Sequence, residues 1–203
     1  MSSWIITPEK YLKNNEIKRL FKVCSGAAEL AELKGNFLAV RDHALLALAF
    51  GSGLRAGEIA DLKVEDLHLD YGQSSLVVQN GKGGKKGNVR ISTKLKAHLN
   101  KYIKYRKSNS PYLFTSARGE KLTVSGVQKI FKKWYAKAGL PEHYSAHSAR
   151  HSMAVRLLKS SGNNLRLVMK QLRHRSIVTT TVYADVASSE ITKALEDMDK
   201  EGD

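Results

Sequence analysis

Residues 37–62 read FLAVRDHALLALAFGSGLRAGEIADL, and the centre of the predicted fold lies in this segment. Apolar side chains occupy nearly every face of a helix drawn over residues 37–50, which predicts a central helix buried on all sides. The glycine-containing tripeptide at 51–53 ends that helix. A short amphipathic helix is predicted over residues 56–62, so that Arg55 stands at its start.

Periodic patterns on either side of this segment predict the remaining elements. Apolar residues spaced i, i+3, i+4 and i+7 from Ile17 predict a first helix, capped by an asparagine at 14 or 15 and ended by Gly26. Strands are predicted over residues 67–70, 75–79 and 88–92, the last two joined by a glycine-rich turn. Helical patterns return over residues 93–106, 123–138, 146–160, 164–172, 179–183 and 188–198. The predicted fold class is mainly α with a small antiparallel β-sheet (α+β), in one domain over residues 1–203.

The composition indicates a globular protein with a strong positive charge. The chain has 203 residues with 34 Lys and Arg against 19 Asp and Glu, a net charge of +15. Cys24 is the single cysteine, so no internal disulfide forms and a reducing, cytoplasmic location is expected. The N-terminus lacks the apolar run of a signal peptide, and the longest apolar run, residues 44–50, is too short to span a bilayer. No membrane partner is expected either, because no predicted helix pairs a basic face with an aromatic, membrane-seeking one.

The charge is unevenly distributed along the chain. Residues 71–119 contain eleven Lys or Arg and no acid, and residues 143–184 contain seven Lys or Arg, four His and no acid. Residues 185–203 reverse the sign, with seven acids against two lysines. Long acid-free segments predict a surface that faces a polyanion, with nucleic acid as the leading expected partner. A basic surface that serves solubility alone is the alternative.

Two residues of the first half are candidates for contacting an anion. Arg55 does not suit the helix dipole, but its guanidinium and the free N–H groups of a helix start would bind an anion; a surface pair with Glu58 is the alternative. Lys82 lies in the glycine-rich turn, which would carry its ammonium into a groove, unless it is simply a solvated lysine. Further candidates for contacting a nucleic acid are Lys85, Lys86, Arg90, Arg173 and Arg175.

Four more candidates lie in the second acid-free segment. His147 and Arg150 are three residues apart on a predicted helix and project from one face, which suits a phosphate; a capping histidine beside an unrelated arginine is the alternative. His174 lies between arginines at a helix C-terminus, where cations are favoured in any case. Tyr183 in TTTVYAD is the last candidate, although a lone tyrosine more often packs in a core or interface.

In this order, the candidates resemble the pattern of the tyrosine recombinase (phage integrase) family. That pattern is an arginine, a hairpin lysine, His-x-x-Arg, a second histidine and a tyrosine, and the match spans residues 12–183. The matching residues are Arg55 in GLRAGE, Lys82 in NGKGGKK, His147 and Arg150 in HSARH, His174 in LRHRS, and Tyr183 in TTTVY. The resemblance implies the family's catalytic-domain fold, in a short form like the fimbrial-type or Xer-like recombinases. The usual N-terminal core-binding domain is expected to be absent, or else the chain is an excised catalytic domain.

The resemblance implies site-specific DNA recombination or integration, by strand cleavage and rejoining. Tyr183 would attack the phosphate, forming a 3′-phosphotyrosyl link and freeing a 5′-hydroxyl. Arg55 and Arg150 would hold the non-bridging oxygens, and Lys82 would protonate the leaving oxygen. The two histidines would bind the phosphate or take the tyrosine proton. Because one ester replaces another and the guanidinium groups supply positive charge, neither a metal ion nor another cofactor is expected.

Partners and departures from the family pattern complete the prediction. Other protomers are expected in a tetrameric synapse, with accessory DNA-bending proteins as a further option. A helix over residues 188–198 would dock on a neighbouring protomer or fold back on its own chain.

Arg173 stands where the family has glycine, at a position that suits a left-handed helix cap, and Ala149 replaces a leucine. Alternatives are a type IB topoisomerase-like relaxing activity, or a non-catalytic DNA-binding regulator with the same fold, for which a helix-turn-helix over residues 164–183 is a weaker variant.

Overall fold

A computed structural model describes residues 7–70, 74–79, 86–106, 108–174 and Tyr183. Among these residues the predicted fold class is confirmed: helices surround a small antiparallel sheet with strand order β1-β2-β3. The helices are α1 (Asn14–Leu33), α2 (Phe37–Ser52), α3 (Ala56–Asp61), α4 (Thr93–Tyr105), α5 (Val124–Lys137), α6 (Ala146–Ser160) and α7 (Leu165–Leu172). The strands are β1 (Leu67–His68), β2 (Ser75–Val78) and β3 (Gly87–Arg90), and single 3-10 turns form at Pro8–Lys10 and Val64–Asp66.

Helix α2 is the central helix that its apolar sequence predicts. It packs against α1, α4 and α6, and Leu45, Leu46 and Leu48 have no exposed surface. The helix ends at Gly53, whose φ of 72° lies in the left-handed region. A Cβ at Gly53 would collide with the end of the Met153 side chain on α6. Glycine therefore serves both the backbone turn and the close approach of α6 to the end of α2.

The three-stranded sheet contacts α7 through its edge strand β3. Leu76 on β2 pairs with Leu67 on β1 and with Val89 on β3, and both Leu76 and Val89 are fully buried. The Gln171 side chain on α7 accepts from the Arg90 N–H at 3.3 Å and donates to the Arg90 carbonyl at 2.9 Å. The C-terminal half of α7 is thus fixed to the strand that follows the glycine-rich turn.

Two predictions about α1 were wrong. Gly26 does not end the helix, which continues to Leu33 and stops before Gly35 at φ 65°. A single glycine inside a helix costs about 1 kcal/mol, which the burial of Ala28 and Ala31 in the next turns offsets. The cap is also different: the N-cap is Lys13, whose N–H donates to the Glu16 carboxylate at 2.7 Å.

The predicted helices over residues 179–183 and 188–198 lie outside the described residues, Tyr183 excepted. Within the described parts of the chain, no helix has both the length and the apolar character needed to cross a bilayer.

Candidate active site

Arg150 on α6 lies where the C-terminal ends of α2 and α7 meet. It is 3% exposed, and its guanidinium donates through Nη1 to the Gly53 carbonyl and through Nη2 to the Leu172 carbonyl, the latter at 2.9 Å. Carbonyls at helix C-termini carry partial negative charge, which favours a cation between them. Burial, with the nearby charge of Arg55, lowers the pKa of Arg150 to about 10, so the side chain stays charged at neutral pH.

Arg55 lies at the start of α3, where Glu58 contacts both its backbone and its side chain. Glu58 Oε2 accepts from the Arg55 N–H at 2.8 Å, and Oε1 accepts from Arg55 Nη1 at 2.9 Å. The Arg55 side chain remains 33% exposed, whereas that of Glu58 is only 5% exposed. The pairing that the sequence offered as an alternative to anion contact is therefore present, but part of the guanidinium still faces solvent.

Arg173 approaches Glu58 from α7. It follows that helix at φ 54° and ψ 42°, the left-handed conformation that suits glycine at this position. Its Nη2 lies 2.6 Å from Glu58 Oε1, and its side chain is 14% exposed. Arg173, suggested by the sequence as a DNA contact, thus has its ion-pair partner inside the protein.

Glu58 is the buried negative charge of this site. Burial alone would raise the pKa of the Glu58 carboxyl, but the Arg55 backbone hydrogen bond and the charges of Arg173 and Arg55 outweigh it, and the pKa is lowered. The carboxylate is therefore ionised at neutral pH and holds two guanidinium groups close to Arg150.

The two predicted histidines lie beside Arg150. His174 Nε2 is 3.1 Å from Arg150 Nη2, and burial followed by the charge of Arg150 lowers the pKa of His174 to about 4. His147, in the first turn of α6, is exposed as a residue, although its ring is partly enclosed. That partial burial, followed by Arg150 and Arg55, lowers the pKa of His147. A phosphate would offset the surrounding positive charge and raise both pKa values.

Tyr183 is buried against α6 rather than exposed to solvent. It is 2% exposed and packs in an apolar cluster with Met153, Leu158 and Leu172. Its hydroxyl oxygen lies 2.8 Å from His151 Nδ1. Burial raises the pKa of Tyr183 to about 12, while Arg150 and then Arg55 act in the opposite direction. The phenol is therefore protonated at neutral pH, and it lies close enough to both arginines for their charges to stabilise the phenolate.

Most of the glycine-rich turn lies outside the described residues, and β3 begins shortly after it. Lys82 and Lys85, like Arg175, lie outside the described residues. Lys86 and Arg90 are exposed. Gly87, which begins β3, leaves space for Arg173: a Cβ there would stand 2.5 Å from Arg173 Cδ. The chain therefore leaves the turn in contact with a side chain of the Glu58 ion-pair network.

The structure adds two residues that the sequence interpretation did not assign to the site. Sequence analysis considered Glu58 only as a surface partner of Arg55. Its ion pair with Arg173 joins α3 to the end of α7, which are far apart in the sequence. His151 was part of the quoted motif but received no role. Its spacing of i, i+4 from His147 was the available signal, and the two rings meet edge to face with centroids 4.6 Å apart. Within the described residues, no group of three or more His, Cys, Asp or Glu side chains is arranged to hold a metal ion.

A helical domain with a three-stranded sheet, in which arginines, histidines and a tyrosine meet at the ends of α2 and α7, has the architecture of a tyrosine recombinase catalytic domain. The chain belongs to the phage integrase family, whose sequence profile matches residues 10–190. This confirms the family that the sequence motifs indicated.

Individual relatives agree with this assignment. Tyrosine recombinase XerA of Pyrococcus horikoshii is 34% identical over 190 residues, which cover 92% of this chain and 60% of that protein. Tyrosine recombinase XerC of Neisseria gonorrhoeae is 38% identical over 161 residues, 78% of this chain and 52% of the relative. The chain therefore spans little more than half the length of these relatives.

Solved structures show the same fold. The crystal structure of XerA recombinase superposes with a TM-score of 0.76 at 26% identity, over 96% of this chain and 65% of that one. A XerH site-specific recombinase bound to a palindromic difH substrate, in a post-cleavage complex, gives a TM-score of 0.74 at 24% identity, over 91% and 52% of the two chains.

Proposed function

We propose that this chain is the catalytic part of a site-specific DNA recombinase that cleaves and rejoins strands through a phosphotyrosine at Tyr183. The observation that carries the proposal is the placement of Tyr183: it is buried on α6 beside Arg150, and its hydroxyl is one hydrogen bond from the helix that bears the His-x-x-Arg motif. Membership of the phage integrase family and relatives named tyrosine recombinases support the same activity.

The proposed cleavage step moves one ester bond from DNA to protein. The Tyr183 oxygen attacks the phosphorus, its O–H bond breaks, and the bond from phosphorus to the 5′ oxygen breaks. Lys82 gives a proton to the leaving oxygen, and the phenol proton passes to a neutral histidine, His147 or His174, or to water. The product is a 3′-phosphotyrosyl bond and a free 5′-hydroxyl. The reverse reaction, with the hydroxyl of another strand, completes the exchange.

Charge stabilisation comes from the guanidinium groups. Arg150 is held by two helix-end carbonyls and Arg55 by the Glu58 carboxylate, so each has a fixed direction before DNA arrives. A third of the Arg55 side chain stays open to solvent. Preorganised donors of this kind stabilise the charge that develops on the phosphate without reorganising during the reaction. Because these cations are part of the protein, the proposed mechanism needs no metal ion.

The proposed partners follow from the charge and from the reaction. Double-stranded DNA would lie over the exposed side of Arg55 and along Lys85, Lys86, Arg90 and Arg175. Strand exchange needs protomers on two DNA sites, so a tetrameric synapse is proposed, with the acidic segment 185–203 docking on a neighbour and DNA-bending proteins as accessory partners. The proposed location is the nucleoid, in the cytoplasm.

The test is a covalent adduct assay. The protein is incubated with DNA that flanks its own gene in the genome, in excess EDTA, and denatured in SDS. We expect an SDS-stable adduct that Tyr183→Phe abolishes while DNA affinity stays unchanged, because binding rests on many basic side chains. An adduct that persists in Tyr183→Phe would refute the assignment and make Tyr144 the next residue to test. Inhibition by EDTA that Mg²⁺ reverses would refute the metal-free mechanism. Relaxation of plasmid DNA without any recombinant product would indicate the topoisomerase-like alternative.

A further inference from the structure

His151 contacts the one polar atom of an otherwise apolar, buried side chain. The Tyr183 ring packs among the apolar residues of α6 and α7, so its hydroxyl has to find a partner there or stay without a hydrogen bond. His151 Nδ1 lies 2.8 Å from that hydroxyl, with the two rings inclined at 59° and their centroids 5.8 Å apart. The contact joins residues that are 32 positions apart, so it requires the packing of the folded chain.

The protonation states of the pair define the direction of the hydrogen bond. Burial, followed by the charges of His147 and Arg150, lowers the pKa of His151 to about 3, so its imidazole is neutral at pH 7. Burial raises the pKa of Tyr183 to about 12, so its phenol is neutral as well. A neutral imidazole with its proton on Nε2 accepts at Nδ1, and the phenol donates. Because the phenol is so much the weaker acid, transfer of its proton to His151 is strongly unfavourable in the DNA-free protein.

The position of His151 on α6 links this hydrogen bond to the rest of the site. His151 follows Arg150 directly and lies one turn after His147, whose ring it meets edge to face. A single helix therefore carries the group that would bind the phosphate and the group that contacts the attacking oxygen. Their relative placement is as rigid as the helix itself.

We propose that His151 is a positioning residue: its Nδ1 accepts the Tyr183 hydroxyl hydrogen and fixes the direction of the phenol oxygen beside Arg150 before DNA binds. This inference rests on the proposed function of Tyr183 as the nucleophile. It separates His151 from His147 and His174, which the reaction uses at the phosphate. It also assigns His151 no proton transfer, because the imidazole acts only as an acceptor.

Two substitutions distinguish positioning from proton transfer. His151→Asn keeps an oxygen acceptor close to the place of Nδ1 but cannot take up a proton at neutral pH. His151→Leu keeps similar bulk and removes the acceptor. The matched control is His98→Asn on α4, because His98 is also half-buried and also meets another histidine, His43, edge to face, away from the site.

The assay is single-turnover cleavage of a DNA site that carries sulfur in place of the 5′-bridging oxygen. Sulfur leaves without a proton, so the rate reports on the attack by Tyr183 rather than on the acid. We expect His151→Leu to lose about 100-fold in rate with unchanged DNA affinity, which is the cost of misplacing a reacting group by about 1 Å. His151→Asn retains most of the wild-type rate and the wild-type pH profile, and His98→Asn matches wild type.

Two outcomes overturn the inference. If His151→Leu folds and cleaves at the wild-type rate, His151 does not position the nucleophile. If His151→Asn loses as much rate as His151→Leu, the imidazole must take the proton and does not act only as an acceptor. If His151→Leu fails to fold, the rate of His151→Asn decides alone. A covalent adduct in Tyr183→Phe would instead refute the proposed function, and the adduct assay that tests this is separate from the rate measurements on the His151 variants.

Discussion

Replacing Glu58 by glutamine removes the only negative charge among the described contacts of Arg55 and Arg173 in the site. The carboxylate lies 2.9 Å from Arg55 Nη1 and 2.6 Å from Arg173 Nη2, and its side chain is 5% exposed. Glutamine keeps an oxygen that accepts from the Arg55 N–H, so the hydrogen bond at the first turn of α3 is retained. The substitution therefore tests the charge and leaves the cap in place.

The magnitude follows from the two ion pairs. At about 4 Å between charge centres and an effective dielectric constant of about 20, each pair attracts by about 4 kcal/mol. The exposed third of the Arg55 side chain weakens its share by solvent screening. The buried carboxylate also pays a desolvation penalty that glutamine does not, which offsets a further part of the lost attraction. Removing one partner of a buried ion-pair network typically destabilises the fold by about 3 kcal/mol. We expect the free energy of unfolding to fall by that amount.

The measurement is urea unfolding of the wild type, Glu58→Gln and Glu65→Gln. Glu65 supplies the matched control, because its pair with Lys63 at 3.1 Å is exposed and should contribute almost nothing. Inorganic phosphate should restore more stability to Glu58→Gln than it adds to wild type, since the anion replaces the lost charge. Equal stability of Glu58→Gln and Glu65→Gln, or a stabilised Glu58→Gln, would refute the argument that Glu58 holds the arginines together.

Two further predictions concern Arg150 and the half-buried His43. Arg150→Lys should lower single-turnover cleavage by about 100-fold or more with little change in DNA affinity, because an ammonium cannot donate to both helix-end carbonyls and still present a fork to the phosphate. Equal losses of affinity and of cleavage would mean that Arg150 only binds DNA. His43 is held neutral: burial, followed by His98 and Lys101, lowers its pKa from 6.5 to about 4, so its contribution to stability is present above pH 6.5 and is lost as the pH falls towards 4. We expect protonation of His43 in the unfolded chain to lower the free energy of unfolding by about 2 kcal/mol between about pH 7 and pH 5. His43→Leu should remove that part of the pH dependence measured by urea unfolding. An unchanged pH profile in His43→Leu would contradict this prediction.

The amino-acid sequence alone was sufficient for the elements whose signal is local. The apolar character of residues 37–50 predicts a buried helix, and residues 75–79 beside the glycine-rich turn predict a strand. The observed α2 and β2 follow both patterns. The order of the motif residues was also sufficient for the family, because that order belongs to the chain and requires no coordinates. At residue 173 the family's glycine suggested a left-handed helix cap, but only the structure decided that Arg173 itself adopts this conformation.

Contacts between distant positions were decided only by the tertiary structure. Arg150 donates to the Gly53 carbonyl 97 positions away, and the Tyr183 hydroxyl contacts His151 32 positions away. No local sequence pattern predicts either partner. Gly26 shows the same principle in reverse, because burial of the following turns outweighs its weak local preference against helix. Glu58 reads as a surface residue in a short amphipathic helix until α7 brings Arg173 against it. Helix and strand signals arise within a few residues, whereas the burial and pairing of charged groups depend on which elements the folded core brings together.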